Sequence, residues 1–102
     1  MAFINGPVPE SFERRVTATA REFERDLRQA WPGVEGDAAS FRFSLQEGAQ
    51  RLVIDIEPAG VRRLGLFELP QLIVRYGFGP GDEAARRTLL ARLDRAMQKG
   101  GG

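Results

Sequence analysis

Two carboxylates, Asp55 and Glu57, stand two residues apart in the segment RLVIDIEP, the pattern in this chain that comes closest to catalytic chemistry. On a β-strand, residues two apart share a face and lie about 6.5 to 7 Å apart. That separation suits the paired carboxylates of glycoside hydrolysis. The alternative is a pair of solvated residues on the outer face of a sheet, bound to Arg42, Arg63 or Arg75 across strands. We favour the second interpretation, because no substrate-binding aromatic cluster lies beside them in the sequence.

The stretch RYGFGPGDEAARR, residues 75–87, looks like a glycine-rich phosphate loop that leads into a helix. The dinucleotide-binding pattern requires a third glycine where this chain has Asp82, and the Walker A pattern requires Gly-Lys-Ser/Thr where it has Gly-Asp-Glu. Asp82 is well placed as the N-cap of a helix whose first turn contains Glu83. Because these two carboxylates would repel a phosphate, we predict a strand-to-helix connection and no cofactor.

Cysteine and histidine are absent from the chain, and their absence excludes several kinds of site. Disulfides, thiolate nucleophiles and zinc sites built from cysteine and histidine cannot form. A Ser-His-Asp triad and an imidazole general base are excluded for the same reason. We therefore predict that the protein is not an enzyme and that it holds no metal.

The charges of the chain nearly balance, with 15 basic and 14 acidic residues and a net charge of +1. Nucleic-acid-binding domains usually carry a clear basic excess, so nucleic acid is an unlikely partner. Fourteen of the 15 basic residues are arginine, however, and doublets occur at 14–15, 62–63 and 86–87. An Arg-rich binder of nucleic acid or another polyanion is therefore the alternative function. Against it, adjacent residues of a helix point about 100° apart, so a helical doublet does not concentrate charge on one face.

The hydrophobic pattern predicts a helix, four strands and a second helix. Residues 9–33 have apolar side chains at spacings of three and four, and Pro32-Gly33 ends the pattern. The alternation typical of strands follows in residues 40–46, 51–58 and 71–78, with a less regular segment at 61–69. Turn chemistry separates these segments at 47–50 and 58–60. Residues 82–99 predict the second helix.

Short connections between these elements favour an α+β fold, a two-layer sandwich in which both helices pack on one face of a four-stranded antiparallel meander. The chain length suits a single domain, residues 1–102, with an extended N-terminus at 1–8 and a flexible glycine tail at 99–102. No apolar run is long enough for a membrane span and no signal peptide is recognisable. We therefore expect a cytoplasmic protein without membrane contact.

The C-terminal KGGG resembles the Gly-Gly tail of ubiquitin-like sulfur carriers. Those carriers open with a β-hairpin before their helix, whereas this chain is predicted to open with a long helix. We therefore interpret the tail as a flexible end.

The alternation of the predicted strands separates a core face from an outer face. The core set is Phe41, Phe43, Leu45, Leu52, Ile54, Ile56, Leu72, Val74 and Phe78, and Tyr76 has the same parity. An alternative use of this interior is an apolar pocket lined by Phe12, Phe23, Phe43 and Phe78.

The outer face combines Val53 and Ile73 with Arg42, Arg75 and Asp55. An apolar centre with a charged rim is typical of a modest protein interface. The alternative is that β-branched residues on an exposed strand face reflect strand propensity alone. Either Val61 and Phe67 or Leu64 and Leu66 would join the outer face, depending on the register of the third strand. We predict a non-catalytic binding or assembly module that uses this face for homodimer formation or for a protein partner.

Overall fold

A computed structural model describes residues 6–100 of the chain, with side chains up to residue 98. Five strands form one antiparallel sheet in the order β1-β5-β4-β3-β2. The predicted α+β fold with an antiparallel sheet is confirmed. The elements in chain order are β1 (Ser11–Thr17), α1 (Ala20–Ala30), β2 (Glu35–Asp37), β3 (Arg42–Glu47), β4 (Gln50–Leu64), β5 (Phe67–Phe78) and α2 (Glu83–Gly100).

The two helices contact each other and pack on the same face of the sheet. The ring centroids of Phe23 on α1 and Phe43 on β3 lie 6.0 Å apart. On α2, Asp94 binds Arg14 of β1. The predicted core of the central strands is confirmed at eight positions, of which Phe78 is partly buried and the others are buried: Phe43, Leu45, Leu52, Ile54, Ile56, Leu72, Val74 and Phe78.

The predicted N-terminal helix is wrong in its first half, because residues 11–17 form strand β1 along β5. The spacing of four between Phe12 and Val16 fits a helix and is also a multiple of the strand period. Arg14, which stands between them on the same strand face, makes the segment look non-alternating. Its side chain is nevertheless turned inwards, and its partner Asp94 is 80 residues away in the chain.

The prediction of four strands in a meander is also wrong, both because β1 and β2 were not predicted and because residues 58–69 turn at a different place. The expected turn at residues 58–60 is a β-bulge inside β4, at which Gly60 has φ of 82°. The chain reverses instead at Gly65-Leu66, where Gly65 has φ of 59°. The predicted third strand is therefore divided between β4 and β5, and β1 and β2 complete the five strands.

Phe41 is the core residue that was predicted wrongly, since its side chain is 44% exposed. Its φ of 58° places it in the left-handed region, at a turn before β3 begins, so it does not follow the alternation of that strand. Its carbonyl accepts a hydrogen bond from the Ile56 N–H. The segment before it, predicted as a loop, contains the short strand β2.

The N-terminal segment lies against α2 where the structure describes it. Val8 is buried, its N–H donates to the Glu83 carboxylate at 2.7 Å, and its carbonyl accepts from Arg86 Nε at 2.9 Å. Residues 1–5 of the predicted extended N-terminus lie outside the described residues. The same holds for residues 101–102 of the predicted glycine tail and for the side chain of Lys99.

Candidate functional site

The five residues of the predicted interface all lie on the sheet face opposite the helices, in three neighbouring cross-strand rows. Arg42, Asp55 and Arg75 stand side by side in one row, which Glu13 of β1 continues. Their charges therefore alternate in sign across four strands. Opposite charges directly across a sheet stabilise it, so this row also has a structural role.

The charged members of this face bind one another. Arg42 holds Asp55 through two hydrogen bonds, of 2.6 and 3.2 Å. Arg75 binds Glu57 at 2.7 Å and lies 3.4 Å from Glu13. The hydrogen bond and the charge of Asp55 raise the pKa of Arg42 above its ordinary value. Both carboxylates of the Asp55–Glu57 pair are thus held by arginines, as in the solvated-face interpretation.

Val53 and Ile73, the predicted apolar centre of this face, are not neighbours. Val53 stands opposite Gly77, and Ile73 stands opposite Glu57 in a different row. The row of Asp55 and Arg75 lies between them. The two half-buried apolar side chains are therefore separated on the sheet face, which has no continuous apolar centre. The use of this face as an interface stays a prediction.

A second feature is a projecting β-hairpin that we call the arm, residues 59–70. It contains both pairs that the sequence offered as additions to the outer face, Val61 with Phe67 and Leu64 with Leu66. The register matches neither pair, because Leu64 stands opposite Phe67.

β1 pairs with β5 only as far as Gln71, and β3 pairs with β4 only as far as Asp55. Beyond these points β4 and β5 pair only with each other, from Val61–Pro70 to Leu64–Phe67. The arm is thus a two-stranded ribbon without sheet neighbours among the described residues.

Backbone geometry explains why the chain extends here instead of turning at Pro58. Ala59 and Gly60 together oppose Gln71, so the pairing of β4 and β5 shifts by one residue and then continues. A bulge of this kind increases the local twist and bends the strand. The arm ends in a two-residue turn with glycine at its first central position and positive φ at that glycine alone, the arrangement of a type II′ hairpin turn.

The arm carries most of the large apolar side chains that are exposed in residues 6–98. Of the five large apolar side chains that are exposed among the described residues, four belong to it, with exposures of 57% for Val61, 48% for Leu64, 102% for Leu66 and 71% for Phe67. Isolated apolar residues are ordinary on a protein surface, whereas a cluster on a projecting element indicates a contact site.

Two arginines lie directly behind the turn of the arm, one on each face. Arg62 stands opposite Leu69 on the outer side of the ribbon, and Arg63 stands opposite Glu68 on the helix side. Arg63 forms an ion pair with Glu68 at 3.2 Å. Arg62 has no hydrogen-bonding or ionic partner in the part of the chain that the structure describes.

The glycine-rich connection from β5 to α2 is filled by residues of the chain itself. Asp82 accepts a hydrogen bond from the Ala85 N–H at 2.8 Å, so its predicted role as N-cap is confirmed. The Val8 N–H and the charge of Arg87 lower the pKa of Glu83, which lies in the first turn of α2. The carboxylates of Asp82 and Glu83 therefore occupy the position that a bound phosphate would take.

A cavity of about 330 Å³ lies between the β3–β4 turn and α2, and it does not form a convincing ligand site. Glu47 Oε2 and Gln50 Oε1 are buried without a hydrogen-bond partner among the described residues. The Gln50 amide donates to the carbonyls of Arg51 and Gly79, and its oxygen faces Gly81, where an added Cβ would come within 2.0 Å of it. The Gln50 amide therefore packs directly against the backbone of the loop between β5 and α2.

The four phenylalanines of the alternative interior pocket pack against other rings. Phe12 stacks on Tyr76 with centroids 4.7 Å apart and lies 6.4 Å from Phe78, and Phe23 contacts Phe43. Burial raises the pKa of Tyr76, and the nearby Arg14 offsets part of that rise. Tyr76 is 3% exposed and is a core residue, as predicted. Of the four phenylalanines, Phe23 and Phe43 are buried, whereas Phe12 and Phe78 are partly buried against the core.

The unpaired arginines do not form a patch. Five arginines have no hydrogen-bonding or ionic partner among the described residues, and they lie on four elements, with Arg51 and Arg62 near opposite ends of β4. They are Arg15 on β1, Arg21 on α1, Arg51 on β4, Arg62 on the arm and Arg95 on α2. Affinity for nucleic acid increases with the number of phosphates that a protein neutralises together, and this distribution does not favour it.

The described part of the chain contains neither a metal-binding cluster nor a membrane-spanning helix. No group of three or more acidic side chains comes together to hold a metal ion in residues 6–98. No helix of the described residues is long and apolar enough to cross a membrane. Comparison with protein-family models, curated proteins and solved structures finds no match to this chain.

Proposed function

We propose that this chain is a non-catalytic binding module that contacts its partner through the arm, with the adjoining outer sheet face as a second contact region. The observation that carries the proposal is the concentration of exposed apolar side chains on the arm. A two-stranded hairpin alone is at best marginally stable in water. An arm of this kind contributes little to the core, so its apolar residues are better explained by contact with a partner than by folding.

The outer face is the weaker of the two regions. Its charges are paired within the chain, and breaking such pairs to bind a partner has a desolvation cost. Self-association or binding of a protein partner through Val53, Ile73, Arg42, Arg75 and Asp55 stays part of the proposal as the flank of the arm contact. The polyanion alternative has no supporting cluster, because the unpaired arginines are dispersed.

Site-specific photo-crosslinking in living cells tests the proposal. A photoreactive amino acid is placed at Leu66 at the end of the arm, at Ile73 on the outer face, and at the exposed Gln29 on α1 as the control. We expect a discrete adduct at position 66, a weaker one at 73 and none at 29. Equal yields at all three positions, or no adduct at 66, would contradict the proposal.

A further inference from the structure

We propose that the arm binds an anionic lipid surface, with its apolar end in the interfacial region and its two arginines at the level of the headgroups. This inference rests on the proposed function, because it names the partner of the same site. Its first support is shape. Leu66 lies at the end of the arm, Leu64 and Phe67 lie on its outer side, and Val61 lies on its helix side. Apolar side chains therefore point in several directions from a two-stranded ribbon.

A convex, projecting element of this form needs an environment that surrounds it. A protein partner would need a pocket whose walls match both sides of the ribbon. The boundary between headgroups and acyl chains adapts to an inserted shape, and peripheral proteins place apolar side chains about 5–10 Å into it. The arm therefore fits a lipid surface without requiring a preformed complementary cavity.

The positions of the arginines provide the second support. A strand advances about 3.3 Å per residue, so Arg63 and Arg62 lie about 7 and 10 Å behind the turn. When the turn enters the interface to its usual depth, both guanidinium groups reach the headgroups, one on each side of the ribbon. Arginine binds phosphate through paired hydrogen bonds, and each basic residue near an anionic leaflet strengthens binding. Glu68 lies at the same level and forms an ion pair with Arg63, so Arg62 supplies the net positive charge of the arm.

The same charges disfavour a second copy of the chain as the partner. Leu64 and Phe67 close the turn, so by strand alternation the backbone groups of Val61 and Arg63 point away from β5, towards an open edge. Antiparallel pairing of two such edges about a twofold axis at Arg62 would place Arg62 of one copy directly opposite Arg62 of the other. Like charges directly opposite in a sheet are destabilising. The β5 edge of the arm is blunted by Pro70, which has no N–H to donate.

Contact with a lipid surface differs from crossing a membrane. The expectation of no membrane contact rested on the absence of a spanning segment, and the described helices are indeed too short or too polar to span. A hairpin end that enters only the interface requires neither a long apolar helix nor a signal peptide. The inference therefore departs from that expectation without requiring a transmembrane element.

Vesicle sedimentation with the full chain tests the inference. Vesicles of equal parts phosphatidylglycerol and phosphatidylcholine are compared with vesicles of phosphatidylcholine alone. We expect binding to the anionic vesicles that weakens as salt is added, because surface charges are screened. Leu66→Ser is expected to weaken binding about ten-fold or more. Arg62→Gln is expected to weaken it about five-fold.

Arg95→Gln is the matched control, since Arg95 is also exposed and without a partner among the described residues but lies on α2. It makes the same change in net charge and should leave vesicle affinity unchanged. All variants are checked for native circular dichroism. An equal loss in Arg62→Gln and Arg95→Gln, or a Leu66→Ser variant that binds like the wild type, would overturn the inference.

The photo-crosslinking result separates this inference from the proposed function. A protein adduct at position 66 together with no binding to anionic vesicles would refute the lipid surface while supporting the arm as a contact site. A lipid adduct at position 66 would support both. No adduct and no vesicle binding would refute both.

Discussion

The ion pair between Arg14 and Asp94 joins the first strand of the sheet to the last helix. Two hydrogen bonds, of 2.8 and 2.9 Å, connect the guanidinium to the carboxylate, and the side chains are 13% and 2% exposed. Arg14 also lies over the rings of Phe12 and Tyr76, 5.3 and 5.1 Å from their centroids. Burial acts to lower the pKa of Arg14, but hydrogen bonds and electrostatic interactions with Asp94 and Tyr76 together outweigh it, so the pKa is raised.

Removal of one partner of this pair is expected to be costly, because the other charge then stays away from water without its opposite charge. We expect Asp94→Ala to lower the free energy of unfolding by about 3 kcal/mol. The double variant Arg14→Met/Asp94→Leu should recover most of the loss, since apolar groups of similar size can replace a buried ion pair. Urea unfolding followed by circular dichroism measures both.

The exposed pair of Arg42 and Asp55 provides the control for this prediction. It has comparable hydrogen bonds, but the side chains are 67% and 39% exposed. We expect Asp55→Asn to cost less than about 1 kcal/mol, because water solvates the charge that remains. If Asp94→Ala and Asp55→Asn lower the free energy of unfolding by similar amounts, burial does not determine the strength of the Arg14–Asp94 pair.

At the level of the secondary-structure element, a short capping motif marks the point where β1 has ended and α1 begins. The Thr19 hydroxyl accepts from the Glu22 N–H at 3.1 Å, and the Glu22 carboxylate accepts from the Thr19 N–H at 2.8 Å. This reciprocal arrangement is a capping box, which satisfies two backbone donors at the start of a helix. The Thr-x-x-Glu spacing is visible in the sequence and marks the true start of α1.

The capping box predicts how stability depends on pH. Hydrogen bonds from Thr19 lower the pKa of Glu22 from its ordinary value of 4.5. The unfolded state therefore binds the proton more readily, and the contribution of Glu22 is present above pH 4.5 and lost as the pH falls through the lowered value. We expect the difference in unfolding free energy between the wild type and Glu22→Gln to shrink over that range.

Urea unfolding at a series of pH values measures this difference. Glu35→Gln, which removes one exposed carboxylate from β2, controls for the general change in net charge. A difference between the wild type and Glu22→Gln that stays constant through the acidic range would show that the charge of Glu22 has no part in the cap.

At the scale of the whole molecule, the arm and the body have different roles. The body buries a core between the helices and the sheet, whereas the arm exposes its apolar residues. Replacing the four exposed residues of the arm with threonine and serine should therefore change the free energy of unfolding by less than about 1 kcal/mol. The proposed binding should be lost in the same variant.

A variant that shortens one buried side chain in the body provides the comparison for the fourfold arm variant. Leu72 is 1% exposed and lies on β5 just beyond the arm. Leu72→Ala should cost about 2–5 kcal/mol, because it leaves a cavity in a packed interior. Denaturant unfolding compares the two proteins. A larger loss from the fourfold arm variant than from Leu72→Ala would mean that the arm is part of the folding core.

Local patterns in the sequence were sufficient for α2, for the alternating parts of β3, β4 and β5, and for all but one of the predicted core residues in the central strands. These features are recoverable because helix and strand periods appear in contiguous residues. The exception, Phe41, lies at a turn with positive φ, and its apolar character alone does not reveal that conformation.

The sequence by itself determined the balance of charges, the absence of cysteine and histidine, the α+β class, the Asp82 cap and most of the core. Only the tertiary structure decided that residues 11–17 are a strand, because the inward position of Arg14 depends on Asp94, 80 residues away. The tertiary structure alone also decided that Val53 and Ile73 are separated and that residues 59–70 form an arm. Both follow from the register between strands, which backbone pairing over the whole sheet establishes and no local pattern contains.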